Sequence, residues 1–280
     1  MKGPLRDNRR EFIKTGLASV AGMTILSCSS AGESPKGGEA EERDGGGGTE
    51  GSRCRGKPVR RILGKTSIKL PVVSMGTGDT TDPGLVRAAL ESGVRLLATS
   101  AYYQNGRNEE MVGGVVREVG IDSVMVMTSA NPGDFDHRAG TFREGATTGN
   151  FVERAEGCLE RLGMECVDIF LLPFMAKRES VFFEPYLRAM EDFKKQGKAR
   201  FIGIATHSRE AEALRAAADT GVYDVAMVAY NFRKANHDEV AGAMADAASR
   251  GLGIIAMKTM AGAYWDEERK HPVNTRAALK

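Results

Sequence analysis

Gly93-Val-Arg-Leu-Leu-Ala-Thr-Ser-Ala-Tyr-Tyr-Gln-Asn-Gly-Arg-Asn-Glu-Glu110 decides how this chain folds. Val94–Ala98 is apolar and of strand length. A polar loop carrying Tyr103 follows, and a helix opens at Gly106–Glu110. The stretch is one strand–loop–helix unit, and the same alternation recurs on both sides of it.

Strand-length apolar runs are expected at Val72–Met75, Val94–Leu97, Val124–Thr128, Val167–Leu172, Arg200–Ala205, Val225–Ala229 and Gly253–Met257. Each is nearly continuously apolar, as suits parallel strands covered on both faces. Between them, amphipathic helices are expected at Pro83–Ser92, Asn108–Val119, Asn150–Leu162, Glu184–Gln196, Arg209–Thr220 and His237–Arg250. Thr148-Gly149-Asn150 and Ser208-Arg-Glu-Ala211 read as helix starts. Gly93, Gly120, Gly163, Gly197, Gly221 and Gly251 stand at helix ends, where a positive φ is wanted. Ahead of the first unit, Arg61-Ile-Leu63, a Gly64-Lys65-Thr66 turn and Ser67–Leu70 read as a β-hairpin.

Strand–helix alternation implies a parallel sheet, either doubly wound or closed as a (β/α)8 barrel. Met75-Gly-Thr-Gly-Asp79 lacks the third glycine and the helix start of a dinucleotide fingerprint, which favours the barrel. Seven strands are counted. Asn274-Thr-Arg-Ala-Ala-Leu-Lys280 reads as the first turns of a seventh helix, so a truncated barrel is expected rather than a natural ending.

Residues 1–30 read as an export signal. Asn8-Arg-Arg-Glu-Phe-Ile-Lys14 matches the twin-arginine pattern, and a weakly apolar run, Thr15–Leu26, follows it. That run is too short and too rich in glycine and alanine to span a bilayer as a mature helix. Cys28 follows Ile25-Leu-Ser27 as in a lipobox, which leaves two processing routes open, acylation at Cys28 or simple cleavage. Twin-arginine export carries folded proteins, so the export machinery is an expected partner and the periplasm or a membrane anchor the expected location. Residues 31–58 form a Gly/Glu-rich linker with four consecutive glycines at 45–48 and almost nothing to bury. The folded domain is expected over residues 59–280.

Composition narrows the partners. A net charge of +2 over 280 residues gives no reason to expect nucleic acid or an anionic membrane surface, so membrane contact is expected only through the signal or a lipid. Four cysteines, at 28, 54, 158 and 166, form no CxxC pair and no zinc or iron–sulfur spacing, so no metal is expected. Cys158 and Cys166 read as small core residues.

The chain resembles the aldo-keto reductases, most closely a subgroup with twin-arginine signals. The resemblance rests on Leu63-Gly-Lys-Thr-Ser-Ile-Lys-Leu-Pro-Val-Val-Ser-Met-Gly76, the opening stretch, Leu159-Glu-Arg-Leu-Gly-Met-Glu-Cys-Val-Asp168 and Gly197-Lys-Ala-Arg-Phe-Ile-Gly-Ile-Ala-Thr-His-Ser208. It implies a barrel whose N-terminal hairpin plugs the floor. It also implies NADP(H)- or NAD(H)-dependent reduction of a small-molecule carbonyl at the C-terminal mouth. In that family a Tyr donates the proton, a Lys paired with an Asp lowers the Tyr pKa, and a His orients the carbonyl.

Tyr103 matches the Tyr, with Tyr102 as the competitor should the register slip by one. Ala98 stands for the Asp, Ser129 for the Lys and Pro173 for the His. Ala205 and Thr206 stand where Ser-Asn usually hold the carboxamide. Met227 and Met257 stand for the Gln and the stacking aromatic.

The polar residues left at the mouth are Asp79, Tyr103, Ser129, Thr206, His207, Tyr230, Asn231, Lys258 and Thr259. Among these, Thr206, Tyr230, Asn231 and Lys258 are the candidate cofactor contacts, and Lys258 is also a possible substitute cation for Tyr103. Two functions follow. One is an exported, carbonyl-reducing oxidoreductase with most of its catalytic set replaced. The other is a catalytically inactive barrel acting as a periplasmic binding or scaffold protein, its pocket edged by Met75, Met127, Met227 and Met257.

Overall fold

The structure is a computed structural model in which residues 58–78 and 80–259 are described. The expected signal, the expected linker up to Lys57, Asp79 and the expected helix start near the C-terminus lie outside them.

The chain enters through the hairpin. β1 (Arg60–Ile62) and β2 (Lys69–Pro71) pair antiparallel with Arg61 opposite Leu70. Gly64–Thr66 forms the turn, closed by Thr66 Oγ1 donating to the Leu63 carbonyl at 2.6 Å. The first wall strand, β3, is Met75–Gly76 and not Val72–Met75. Val72 instead prolongs the hairpin, its N–H donating to the Val59 carbonyl at 3.0 Å, and both Val72 and Val73 face solvent. Their apolar run carries the chain from floor to wall.

The repeating units then follow in order. They are α1 (Pro83–Glu91), β4 (Leu96–Ala98), α2 (Arg107–Val119), β5 (Met125–Ser129), α3 (Gly149–Leu162), β8 (Val167–Leu172), α4 (Arg178–Val181), α5 (Glu184–Lys195), β9 (Ala199–Thr206), α6 (Glu210–Thr220), β10 (Val225–Ala229), α7 (His237–Ser249) and β11 (Gly253–Met257). Between β5 and α3 lies a rim hairpin, β6 (Phe135–Asp136) and β7 (Thr141–Phe142), whose two-residue strands are too short to show a periodic signal. Aromatic packing fixes it: Phe142 stacks on Tyr186 of α5 at 4.5 Å between centroids, and the Tyr186 hydroxyl donates to the Gly133 carbonyl at 3.2 Å.

Seven strands, all parallel, stand in the order β3-β4-β5-β8-β9-β10-β11 and curl into a half-barrel. Two apolar clusters account for the curl. The inner one joins Leu96, Ala98, Met127, Ile169, Leu171, Ala205 and Val225 of the wall to Leu63, Ile68 and Leu70 of the hairpin region. The hairpin therefore plugs the floor. Its Lys65 N–H donates to the Gly251 carbonyl at 2.8 Å, and a Cβ on Gly64 would meet the Gly253 backbone at 2.4 Å. The outer cluster buries the apolar helix faces against the sheet. Cys158 belongs to it and Cys166 is half-buried; neither forms a disulfide.

Local signals decide most helix ends. Asp82 caps α1 by accepting the Gly84 N–H at 2.8 Å, with Pro83 in the first turn. The six glycines expected at helix ends all have positive φ. At Gly163 the chain turns left-handed (φ 64°), and the Gly163 and Met164 N–H groups bond back to Glu160 and Leu159.

Two expected starts differ. Thr148 precedes α3 without a side-chain cap; only its carbonyl is used, by Phe151 N–H at 2.9 Å. α6 begins at Glu210 behind a left-handed Arg209, and the Ser208 carbonyl accepts from Thr206 Oγ1 at 2.9 Å.

Candidate active site at the mouth of the barrel

In a barrel of this kind the chemistry lies at the C-terminal ends of the strands, where loops bring side chains from several strands together. Tyr103 stands there, opening a 3-10 turn (Tyr103–Gly106) after β4, with its N–H donating to the Ser100 carbonyl at 3.0 Å. Its ring lies on Gly78 beyond β3; a Cβ at residue 78 would come within 2.9 Å of Tyr103 Cζ. The next residues, Gln104 and Asn105, are left-handed at φ 47° and 55°. Each such non-glycine residue costs about 1–3 kcal/mol and persists only where its surroundings hold it.

Asn108 holds them. It is fully buried in the first turn of α2 and makes four hydrogen bonds. Its Oδ1 accepts from Thr77 Oγ1 at 2.7 Å and Thr99 Oγ1 at 2.6 Å. Its Nδ2 donates to the carbonyls of Thr77 at 2.8 Å and Thr80 at 2.7 Å. One amide thus ties the ends of β3 and β4 to the helix carrying the Tyr103 loop. Gln104 Nε2 adds a bond to the Gly78 carbonyl at 2.6 Å. Sequence reading took Asn108 only as a helix start; the signal available was an amide one turn after a glycine-closed loop.

Behind this clamp, Glu109 is completely buried. It accepts from Thr128 Oγ1 at 2.5 Å and pairs with Arg161 Nε at 2.7 Å. Burial pushes its carboxyl pKa up, opposed by the bonds from Thr128 and Arg161. Burial, then the Glu109 charge, pushes the neighbouring Cys158 thiol up, so that cysteine stays protonated and inert.

The positions beside Tyr103 are filled as follows. Ala98 points into the inner core, and its carbonyl accepts from the Thr77 N–H at 2.9 Å. Ser129 Oγ donates to Ser100 Oγ at 2.8 Å, and Ser100 Oγ donates to the Ser129 carbonyl at 3.3 Å, so the two hydroxyls satisfy each other. Pro173 ends β8 and is followed by Phe174 at φ 68°. Phe174 bridges the two halves of the mouth, meeting Tyr102 at 6.5 Å, His137 at 4.7 Å and His207 at 6.1 Å between ring centroids. This aromatic bridge was missed from sequence; the left-handed backbone after a strand-ending proline is what turns the ring inward.

The remaining candidates gather on the far arm, at the ends of β9, β10 and β11. Thr206 is fully buried with its hydroxyl committed to Ser208. Tyr230 is half-buried, its N–H donating to the Met257 carbonyl at 3.0 Å, and Asn231 Oδ1 accepts from Arg233 N–H at 3.0 Å. Lys258 is exposed at φ 57°. It stands close enough to His207 that, after burial, its charge is the next cause holding that imidazole below its ordinary pKa. Met127 lies in the inner core with Met227 against it, and Met75 packs on the outer cluster. Among the described residues no group of histidine, cysteine and carboxylate side chains is arranged to hold a metal ion.

Several known proteins resemble this chain in sequence or in fold. The aldo-keto reductase YhdN of Bacillus subtilis is 29% identical over 135 residues, 48% of this chain and 40% of its own length. An aldo-keto reductase of Mycolicibacterium smegmatis is 34% identical over 146 residues, 50% of this chain and 46% of its own. The chain thus spans less than half the length of these curated relatives. Among solved structures, the holo form of aldo-keto reductase AKR11C1 from Bacillus halodurans superposes with a TM-score of 0.59 at 19% identity, covering 73% of this chain and 67% of that one. An aldo-keto reductase from Klebsiella pneumoniae in complex with NADPH gives 0.57 at 21%, covering 75% and 72%. The model of the aldo/keto reductase family matches residues 79–278, and the chain belongs to that family.

Proposed function

We propose that this chain is an exported oxidoreductase-type barrel that binds a nicotinamide cofactor and reduces a small carbonyl compound, with Tyr103 as proton donor. The observation that carries the reading is the clamped Tyr103 loop. Two left-handed residues and a four-bonded buried Asn108 hold one phenol against Gly78 at the mouth. A rim tyrosine with only a packing role needs no such restraint. The solved neighbour bound to NADPH, together with family membership, supports NADP(H) as the cofactor.

The donor set on the far arm fits that cofactor in part. Lys258 and Asn231 suit its phosphates. The nicotinamide carboxamide has no evident grip there, since Ala205 lies in the apolar core and the Thr206 hydroxyl is committed. A nicotinamide cofactor held there would supply the hydride to the carbonyl carbon. Tyr103 supplies the proton to the carbonyl oxygen, Phe174 walls the mouth from water, and the Asn108 clamp keeps the phenol from drifting.

A specific observation favours a second reading, a non-catalytic binding barrel. Ala98 and Ser129, the latter bonded to Ser100, occupy the positions from which the family's Asp and Lys act on the tyrosine. NADPH titration followed by assay on simple aldehydes separates the two. Binding with turnover that falls about 10²–10⁴-fold in Tyr103→Phe supports the reductase. Binding without turnover supports the binding barrel, and an unchanged rate in Tyr103→Phe removes Tyr103 from the mechanism.

Export through the twin-arginine route, to the periplasm or to a membrane anchor at Cys28, belongs to the same proposal and rests on the Asn8–Lys14 motif. Replacing both Arg9 and Arg10 with Lys should retain the protein in the cytoplasm, read by fractionation. Labelled fatty acid incorporated into the native chain but not into Cys28→Ala would establish the lipid anchor.

A further inference from the structure

We propose that a groove beside the Tyr103 loop is a binding site for a small anion, a carboxylate or a phosphate, held by Arg154 and Arg161 of α3. The groove has a volume of about 460 Å³ and is lined by Ala101, Tyr102, Asn105, Asn131, Arg154 and Arg161. Two guanidiniums, two amides and a phenol face it, and no carboxylate lines it.

The two charges are not balanced alike. Arg161 spends its Nε on the buried Glu109 at 2.7 Å and turns Nη2 toward Cys158 Sγ at 3.5 Å, leaving its side chain 29% exposed. Arg154 donates to the Asn131 carbonyl at 3.2 Å, and among the described residues it has no carboxylate at ion-pair distance. Asp134 and Arg154 both act on the Tyr186 hydroxyl, with opposite signs. The groove itself therefore presents positive charge with no carboxylate in its lining, on the side chain best shaped to take two oxygens of a carboxylate or phosphate at once.

Asn131 Oδ1 is buried without a donor. No hydrogen bond locks that amide, and it is free to turn Nδ2 toward an anion. Asn105, already left-handed at φ 55°, brings its amide to the opposite wall.

The site does not depend on the reductase reading, because both guanidiniums lie on α3 and none of its lining residues takes part in the proposed reduction, so it would bind equally in an inactive barrel. Thermal unfolding of the full chain at low salt, with inorganic phosphate in one arm and succinate in the other, tests it. A saturable rise in midpoint with either probe is expected, and the better probe identifies the acid group. Raising salt to about 0.5 M should weaken the response by screening.

Arg154→Gln should weaken binding about tenfold or more. Asn105→Asp, which keeps a residue type tolerant of the left-handed backbone, should abolish it by repulsion. Arg161 is left intact, since its loss would orphan Glu109. The proposal is overturned if neither probe shifts the midpoint, or if both variants respond as the parent does. The latter outcome would assign any phosphate effect to the cofactor phosphate contacts on the far arm.

Discussion

The two arms of the half-barrel are built differently. On the Tyr103 arm, β3, β4 and β5 end in a buried polar network: Thr77, Thr99, Ser100, Asn108, Glu109, Thr128 and Ser129 are all nearly inaccessible and bonded to one another or to backbone. On the far arm, β9 to β11 and their helices rest mainly on small apolar contacts, with Thr206, Glu210 and Asp224 as separate buried polar groups, each with its own partners. Ala213, Ala216 and Ala217 of α6 and Ala243 and Ala247 of α7 are fully buried where those helices pack together. Alanine faces let helices approach closely with few alternatives to satisfy. A buried network has one arrangement in which every donor is paired, so it fixes geometry at the cost of fragility.

The largest expected effect follows from breaking that network at its charge. Arg161→Ala leaves Glu109 buried and unpaired and should cost about 3–5 kcal/mol, read as a lower denaturant midpoint. Asn108→Ala removes four bonds and leaves the Thr99 hydroxyl and the Thr80 carbonyl without a partner. A loss on the order of 3 kcal/mol is expected, together with a mobile Tyr103 ring by NMR. If that variant kept both its stability and a fixed ring, the polar arm would not be what positions Tyr103.

Gly78→Ala should cost about 1 kcal/mol while displacing the phenol, since its new Cβ would stand 2.9 Å from Tyr103 Cζ. The readout is any carbonyl-reducing activity, which should fall further than stability does. On the far arm, Thr206→Val should cost about 1 kcal/mol, losing a single bond to Ser208.

The smallest effect concerns His207. Burial and the Lys258 charge hold its pKa below 6.5. The folded state therefore takes up its proton later than the unfolded chain does, so this group favours folding above about pH 6.5 and weakens it as pH falls. In an NMR titration His207 should protonate below pH 6.5, and Lys258→Ala should move that step upward. No movement would separate the two groups.

Legibility followed the same division. Val167–Leu172, Val225–Ala229 and Gly253–Met257 are strands over the expected residues because buried parallel strands read as continuous apolar runs. The run Val72–Met75 has the same composition, yet only Met75 enters the wall, because composition does not say which sheet an apolar residue faces. The alternation near Tyr103 named the site's location. It could not reveal Asn108 or Phe174, whose roles depend on partners 31 residues away at Thr77 and across the mouth at His207. Nothing in the expected helix Asn150–Leu162 singles out Arg154 and Arg161. Only the position of α3 against the Tyr102 loop makes a groove of them.

By itself, the sequence determined the alternation of strands and helices, the left-handed glycines that end the helices, the floor hairpin, and the place of Tyr103. These follow from local periodicity and backbone sterics, which neighbouring residues encode. Tertiary structure alone decided which polar groups become buried partners, which hydroxyls are already committed, and where positive charge goes unanswered. Burial and pairing depend on residues distant in the chain, and the strength of an electrostatic contact is set by how much water the fold leaves around it.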